Sequence, residues 1–386
     1  MPATRSRALV LGHDKKLALL AMTRFEDTHE FVRLHAATAS PTPPVGPELL
    51  RAVDRVMSDR PFSAVVATSE SAMLAAGFVR SQYGLPGLGY EQVLIATNKW
   101  RMRTALRSVV RSPRAWLSGK FLRDEPPVPP EMAEVVIKPM ASSAARGVRR
   151  MPIAQARAWL AARDDLWLVE EAVETQREFH CDGVFHEGRL SWAEASEYDR
   201  PVLRSHGTRS TSILRRNDSL RSALIDRSNR VVGGLGCREG VFHMEFLFDG
   251  TELFFGEVGL RPAGTGIAEL IGIATGADLW ASFVAAQLGR GSDGFSPKRQ
   301  AADITGLIMA RPTADGRLPL PAHKVRGLPG VVELGEGNLM RGAQPANMCE
   351  FEYLAFFEGL TREEIARVRQ TVADVDVRPA GDDRRV

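Results

Sequence analysis

The stretch that decides the fold is Gly240-Val-Phe-His-Met-Glu-Phe-Leu-Phe-Asp-Gly-Thr-Glu-Leu-Phe-Phe-Gly-Glu-Val-Gly-Leu-Arg261. It contains two apolar, aromatic-rich runs around Asp249-Gly-Thr251, and Asp-Gly between alternating runs is the strongest short signal of a β-hairpin. A loop from Asp249 to Thr251 pairs His243 with Glu257 and places Glu245 on the same face. A two-residue loop would instead place the two glutamates on opposite faces. We predict the longer loop, and therefore a hairpin with both carboxylates on one side.

The two faces of this predicted hairpin differ in chemistry. One face of its first strand is an unbroken hydrophobic row of Phe242, Met244, Phe246 and Phe248. The other face carries Glu245, and diagonal carboxylates on adjacent strands lie roughly 7–8 Å apart at Cβ. Burying such a pair without a cation is costly, and oxygen ligands suit Mg²⁺. Arg261 follows on the face of Glu257 and could contact a phosphate held by the metal. The alternative is a solvent-facing acidic hairpin with Arg261 as a surface counter-ion.

The composition is that of an ordinary globular protein with enough apolar residues for a large core. The chain has 386 residues, of which 44% are hydrophobic and 25% charged, and its formal net charge is +3. This length favours two or three domains. Because the charge is small and the basic residues are dispersed, nothing in the composition suggests a nucleic acid as a partner.

Segments that would direct the chain to a membrane are not predicted. The apolar run from Ala8 to Leu11 is too short for the core of a signal peptide, and no other run reaches transmembrane length. The three cysteines, Cys181, Cys237 and Cys349, are far apart and lack the spacing of metal ligands. Free thiols fit a reducing compartment. We therefore expect a cytoplasmic protein that does not bind membranes.

The N-terminal part has a βαβα pattern. Strands are predicted at 8–11 and 62–68, and helices at 47–58 and 70–83. This order implies a small parallel sheet with helices on its faces. Gly-x-Gly-x-x-Gly does not follow the first strand, so the dinucleotide-binding fingerprint is absent.

The remainder of the chain favours an α+β arrangement. A basic helix capped by Asn98 or Thr97 is predicted to run to about Val110, and the Pro-rich segment 126–130 is a predicted linker. The segment 197–217 has no clear period and is predicted to be an ordered loop over the site. Thr361-Arg-Glu-Glu364 is a capping box at the start of a last helix. A helix is predicted after Gly266, with Ile267, Leu270 and Ile271 on its apolar face. Further strands are predicted at 134–139, 166–173, 178–185, 189–196, 304–309, 331–334 and 350–357, and further helices at 153–163, 219–235 and 278–288.

Two lysines and a pair of glutamates are further candidates for binding a ligand. Lys138 ends a buried strand and precedes a loop of small residues, 141–147, whose backbone amides suit a polyphosphate. Lys99 begins a helix, a position where a lysine is ordinarily solvated unless an anion lies beside it. Glu170 and Glu171 end a strand and could meet a purine. Taken singly, each of these is more often an ordinary exposed side chain.

The order and spacing of these residues together resemble the ATP-grasp superfamily from about Asn98 to Leu288. Lys99 and Lys138 match the two ATP-binding lysines of the family. Glu170, Glu171, Ala172 and Val173 resemble the adenine-binding hinge, and Glu178 matches the ribose-binding position. Glu245 and Glu257 match the two metal-binding glutamates. Arg261 matches the arginine that follows them, so the resemblance makes Arg261 and Lys138 the catalytic candidates.

Two departures from the family pattern stand out. Gly259 replaces the asparagine that usually follows the second glutamate by two residues, so one metal ligand is missing. The loop after Lys138 contains Ser142, Ser143, Ala144 and Ala145 where glycines are common.

The resemblance implies an ATP-grasp fold of mixed α/β and α+β class with four regions. These are an N-terminal Rossmann-like preATP-grasp domain (1–97), a small lid subdomain (98–168), a central catalytic subdomain (169–300) and a C-terminal β-rich segment (301–386) that completes the catalytic domain. A homodimer is compatible with this layout.

The layout is most similar to the carboxylate–amine ligases, including the L-amino-acid ligases. This implies ATP and Mg²⁺, with Mn²⁺ as a substitute, and small-molecule carboxylate and amine substrates such as amino acids or a peptide. The implied reaction forms an acylphosphate that an amine attacks, with release of ADP and phosphate. Two alternatives are a carboxylase that uses bicarbonate and a nucleotide-binding regulator without turnover.

Overall fold

Three β-sheets organise the molecule. The computed structural model describes residues 5–13, 15–34, 44–57, 60–142, 145–204, 207–291, 296–298, 305–313, 316–341, 343–345 and 349–373. The three sheets have three, four and eight strands within these residues.

The first sheet is parallel and has the order β2-β1-β3. The predicted parallel sheet is confirmed, but α1, β2 and α4 were not predicted as separate elements. The strand β2 has only one buried residue, His29, so its sequence lacks the apolar run that marked β1 and β3. The elements of this part are β1 (Ser6–Leu11), α1 (Lys16–Thr23), β2 (His29–Arg33), α2 (Pro47–Met57), β3 (Ala64–Ala67), α3 (Glu70–Tyr83) and α4 (Tyr90–Thr97).

The second sheet is antiparallel and has the order β4-β7-β5-β6. It has its own small core, in which Trp116, Ile137 and Val169 are buried against α6 and α7. The basic helix ends at Leu106, earlier than predicted, and a turn continues to Val110. The elements here are α5 (Lys99–Leu106), β4 (Ala115–Leu117), α6 (Ser118–Leu122), β5 (Glu134–Pro139), β6 (Arg149–Pro152), α7 (Ile153–Ala161) and β7 (Trp167–Glu171).

The third sheet has the order β12-β11-β8-β9-β10-β13-β15-β14, and all its neighbouring strands are antiparallel. Its strands are β8 (Arg177–His186), β9 (Arg189–Tyr198), β10 (Arg209–Ile213), β11 (Gly240–Phe248), β12 (Leu253–Gly259), β13 (Thr305–Ala310), β14 (Val331–Glu336) and β15 (Tyr353–Glu358). The helices of this part are α8 (Ser219–Leu235), α9 (Ile267–Thr275), α10 (Leu279–Gln287), α11 (Ala322–Val325) and α12 (Arg362–Ala373).

The hairpin β11–β12 is confirmed, but its predicted register is wrong. The connection is one residue longer than predicted, and Phe248 pairs with Leu253. That register alone would turn Glu257 away from the face of Glu245. A β-bulge at Gly256 inserts one extra residue into β12, so Glu245 and Glu257 become direct partners. The prediction of a shared face therefore holds, although the two glutamates are opposite rather than diagonal.

The segment predicted to be a loop over the site contains the strand β10, which lies in the middle of the large sheet between β9 and β13. That part of the prediction is wrong. Every residue of Arg209-Ser-Thr-Ser-Ile213 is buried although four of the five are polar, so the usual hydrophobic alternation of a strand is missing. Ser205 and His206 lie outside the described residues.

The predicted boundary between 168 and 169 falls inside β7, so a boundary after Glu171 fits the sheets better. The other boundaries stay predictions.

The capping box at the start of α12 is confirmed, because Thr361 and Glu364 exchange side-chain to backbone hydrogen bonds of 2.6 and 3.2 Å.

None of the helices in the described residues is by itself long and apolar enough to cross a membrane. The helices α9 and α10 reach that length only together, and they meet at a bend of 107°.

Candidate functional site

The centre of the candidate site is the pair Glu245 and Glu257. Like charges directly opposite on adjacent strands repel, and each carboxylate has a cationic partner here. Lys99 Nζ lies 3.0 Å from Glu257 Oε2, and His243 Nε2 lies 3.5 Å from Glu245 Oε1. Both glutamate side chains are partly exposed, by 27% and 34%. Two accessible carboxylates on one face supply the oxygen ligands that Mg²⁺ or Mn²⁺ prefers, so these residues fit a divalent cation.

Lys99 connects the second sheet to this pair. It is the first residue of α5, whose N-terminus is capped by the Asn98 side chain accepting from Arg101 N at 3.0 Å. The Lys99 ammonium donates to the Ser142 carbonyl at 2.7 Å as well as to Glu257. Ser142 is the second residue of the small-residue loop 141–147, of which Ser143 and Ala144 lie outside the described residues. Lys99 therefore holds one end of that loop beside the candidate metal ligands.

Lys138 is held by Glu170 rather than standing free. Its Nζ lies 2.6 Å from Glu170 Oε2, and the other carboxylate oxygen accepts from Arg103 Nε at 2.6 Å. Burial raises the pKa of Glu170, but the charges of Arg103 and Lys138 outweigh this and bring the pKa to about 2. The sequence suggested that Glu170 could meet a purine. In the structure both of its oxygens bind cations of the protein instead.

The other residues of the predicted hinge lie at the end of β7 and in the connection to β8. Glu171 is half-buried and accepts from Arg114 N at 3.2 Å. Ala172 and Val173 follow it, both half-buried, and the Val173 carbonyl accepts from Thr175 N at 2.9 Å. The hinge residues thus occupy the junction between the second and third sheets. Their contact with a purine stays a prediction.

Glu178 lies on the site face of β8. The register pairs Leu247 with Glu178 and Glu245 with His180, so the two glutamates share a face on adjacent strands. Glu178 is 6% exposed and accepts from Val202 N at 2.7 Å. Burial and the nearby charge of Glu245 raise the pKa of its carboxyl. Its contact with a ribose stays a prediction.

Arg261 is held by a residue that the sequence analysis missed. Its Nε lies 3.0 Å from Glu70 Oε2, Nη2 donates to the same oxygen, and Nη1 donates to the Pro262 carbonyl at 2.8 Å. Glu70 is the first residue of α3, in the N-terminal part of the chain. An acidic residue in the first helical turn is ordinarily explained by the helix dipole, so its sequence position carried no further signal.

The charges around Glu70 keep it ionised. Burial raises the pKa of its carboxyl, but the positive charges of Arg261 and Lys99 outweigh this, and the net shift is downward. Two sequence-distant cations therefore converge on one carboxylate at the edge of the site.

A second missed feature is the buried cluster of His180, Asp182 and His243. Asp182 accepts from His180 Nδ1 at 2.5 Å and from His243 Nδ1 at 2.8 Å, and His180 Nε2 lies 2.7 Å from Thr211 Oγ1. The ligand atoms of the three lie within 4.8 Å of one another, a spacing that could hold a metal. Because both oxygens of Asp182 already bind a ring nitrogen, the cluster is satisfied without an ion.

This cluster acts on Glu245 through His243. Burial lowers the pKa of His243, but the charge of Asp182 outweighs it and raises the pKa to about 10. The raised pKa favours the imidazolium form of His243. Partial burial raises the pKa of the Glu245 carboxyl, but the hydrogen bond and the charge of His243 outweigh this and lower it. The cluster therefore keeps the metal-binding candidate ionised and fixes its position.

The contact between Arg261 and Glu70 gives a prediction. Glu70→Gln removes the negative charge that orients Arg261 but keeps the length of the side chain. If the chain carries out the phosphoryl transfer that the resemblance implies, its rate should fall by about tenfold or more, because Arg261 loses a charge-assisted partner. ADP formation at saturating ATP would measure this. Glu91→Gln is the matched control, since Glu91 pairs with Arg101 on the exposed surface. Equal turnover in both variants would contradict the role of Glu70.

Comparison with known proteins gives related proteins at low identity. No protein-family model matches the chain. The L-arginine-specific L-amino acid ligase of Bacillus subtilis is 26% identical over 235 residues, which are 58% of this chain and 57% of that protein. The chain thus spans little more than half the length of this curated relative.

Solved structures match over almost the whole chain. The L-amino acid ligase from Bacillus licheniformis has a TM-score of 0.73 at 16% identity, with 96% of this chain and 97% of that chain covered. The N5-carboxyaminoimidazole synthase from Aspergillus clavatus, solved with ADP and 5-aminoimidazole ribonucleotide, has a TM-score of 0.67 at 13% identity, with 95% and 97% covered. At these identities the likeness shows the fold. The predicted ATP-grasp fold is therefore confirmed, and the chain resembles the L-amino-acid ligases among the proteins that share it.

Proposed function

We propose that this chain is an ATP-dependent carboxylate–amine ligase that joins two small molecules through an amide bond. The observation that carries the proposal is the constellation around Glu245 and Glu257, two carboxylates on one face. Lys99 is bound to Glu257, Lys138 is close enough to lower the pKa of Glu245, and Arg261 and Lys99 both act on Glu70. Two acids that suit a divalent cation, surrounded by three cationic side chains, suit a nucleoside triphosphate.

The reaction begins with transfer of the terminal phosphoryl group of ATP to the substrate carboxylate. A mixed anhydride, the acylphosphate, forms and ADP leaves; the amine then attacks the acyl carbon and phosphate leaves. Lys99 and Lys138 neutralise phosphate charge, and Arg261 stabilises the transferring group. Glu245 and Glu257 would hold Mg²⁺ or Mn²⁺, which supplies positive charge to the phosphate oxygens when bound. Catalysis by these residues is positioning and charge neutralisation.

The substrates that we propose are L-amino acids, and the specificity of the Bacillus subtilis relative for L-arginine supports this class. The product would be a dipeptide. A carboxylase that uses bicarbonate is the second candidate, because the carboxyaminoimidazole synthase from Aspergillus clavatus has a similar fold.

Release of ADP and phosphate, screened over pairs of amino acids with ATP and Mg²⁺, tests the proposal. We expect release that requires both a carboxylate and an amine, together with a new amide detected by mass spectrometry. Release that depends on bicarbonate alone would support the carboxylase instead. Nucleotide binding without turnover under any pair would contradict the ligase and favour a regulator.

A further inference from the structure

Arg103 joins three parts of the molecule that the proposed reaction needs. It projects from α5 and is 7% exposed. Its Nε donates to Glu170 on β7 of the second sheet, and its Nη2 donates to the Gly256 carbonyl, in the bulge of β12 in the third sheet. The guanidinium also lies over the Phe255 ring, 5.5 Å from its centroid. One buried side chain therefore contacts the anchor of Lys138 and the residue before the metal-binding candidate Glu257.

The charges of this cluster do not balance. Glu170 is 1% exposed and supplies one negative charge, while Arg103 and Lys138 supply two positive charges at 2.6 Å each. These three residues thus carry a net positive charge, and Lys138 also acts on the carboxyls of Glu178 and Glu245, beside which the phosphates are proposed to lie. A buried neutral pair of Lys138 and Glu170 would be costly to separate, because each partner would be left unpaired. With Arg103 present, Glu170 keeps a cation when Lys138 moves.

We propose that Arg103 is a positioning residue that neutralises Glu170, so that Lys138 can exchange this carboxylate for a nucleotide phosphate. The inference rests on the proposed nucleotide-dependent function. No covalent bond changes in the exchange. Lys138 Nζ leaves a carboxylate oxygen of Glu170 and binds a phosphate oxygen, while Arg103 stays bound to Glu170. The planar fork of arginine suits this role, since Nε and Nη2 bind Glu170 and Gly256 at once, which the single ammonium of lysine does not do in the same geometry.

The alternative is that Arg103 only stabilises the fold. The two views differ in what happens when the negative charge of Glu170 is removed. If Glu170 competes with phosphate for Lys138, Glu170→Gln should preserve or increase nucleotide affinity. If the cluster only stabilises the fold, Glu170→Gln should weaken nucleotide binding and lower the melting temperature together.

The test measures Mg²⁺-free ADP binding by calorimetry in Arg103→Met, Glu170→Gln and the double variant, with the melting temperature of each. We expect Arg103→Met to weaken binding by about tenfold or more, because Lys138 is then bound by an otherwise unneutralised carboxylate. The double variant should recover at least about threefold of that loss. Arg111→Met is the matched control, an exposed arginine paired with Glu252 at the end of the hairpin.

A Lys138→Ala background sharpens the test. With Lys138 absent, the competition no longer exists, so adding Glu170→Gln should no longer change ADP affinity. Unchanged binding in Arg103→Met, or no recovery in the double variant, would overturn the proposal. If Arg103→Met does not fold, weaker ADP binding in Glu170→Gln alone would also overturn it. If the wild-type protein binds no ADP, the proposed function is overturned as well. If the wild type binds ADP and Arg103→Met binds it with the same affinity, this inference alone is overturned.

Discussion

Replacing Glu257 with glutamine is expected to reduce ADP formation by at least about a hundredfold while the fold is retained. The substitution keeps the shape of the side chain and an oxygen that can accept from Lys99, but it removes one of the two negative charges that would face a divalent cation. Weaker metal binding and slower phosphoryl transfer should therefore occur together. A titration of activity against Mg²⁺ concentration measures both effects.

The stability of this variant separates a local effect from unfolding. The pair of Lys99 and Glu257 is partly exposed on the glutamate side, and such pairs contribute little to stability. We expect the metal-free melting temperature to change by at most about 4 °C. Glu252→Gln is the matched control, because Glu252 lies in the same hairpin but pairs with Arg111 away from the site. Normal activity and Mg²⁺ dependence in Glu257→Gln would contradict the central assignment.

Replacing Gly256 with alanine is expected to reduce ADP formation about as strongly as Glu257→Gln does. It should also lower the free energy of unfolding. An added Cβ would lie 2.9 Å from the Glu245 carbonyl oxygen, a backbone atom that cannot move without disturbing β11. The bulge would be displaced, and with it the alternation that brings Glu257 to the face of Glu245. We expect a loss of about 1–3 kcal/mol in the free energy of unfolding, typical of overpacking. Denaturant unfolding and ADP formation would measure the two effects.

Gly259→Ala is the control for this variant. Gly259 is also on β12, but the nearest atom to an added Cβ is Arg261 Cγ at 3.8 Å, an ordinary contact. The control should therefore retain the fold and most activity. Full activity in Gly256→Ala would show that the bulge does not set the position of Glu257. A loss of the same size in both variants would point to a general intolerance of β12 to side chains.

Local patterns in the sequence were sufficient to predict the hairpin and most helices and strands, but not the register that brings its two glutamates to one face. The bulge was not predictable, because Gly256 interrupts neither run and its effect depends on the four-residue connection, Asp249 to Glu252, at the other end of β12. The correct face followed from two errors that compensate each other: the loop was predicted one residue too short, and the bulge was not foreseen.

The partners of the site cations were missed for a different reason. Arg261 and Glu70 are 191 residues apart, and Arg103 and Glu170 are 67 apart. Periodicity and spacing carry information about neighbours on one helix or hairpin, but not about which distant charges meet after folding. The same limit hid the pairing of Lys138 with Glu170, since each residue alone was typical of an exposed strand end.

The central position of β10 has a consequence for the order in which the protein can fold. Its partner β13 follows it by roughly ninety residues, and synthesis at about 5–20 residues per second delays that partner on the order of 5 to 20 s. During this interval β10 has free hydrogen-bonding groups on one side, like any strand at the edge of a sheet. Its serines and threonine make this edge a poor template for aggregation through apolar side chains until β13 has been synthesised.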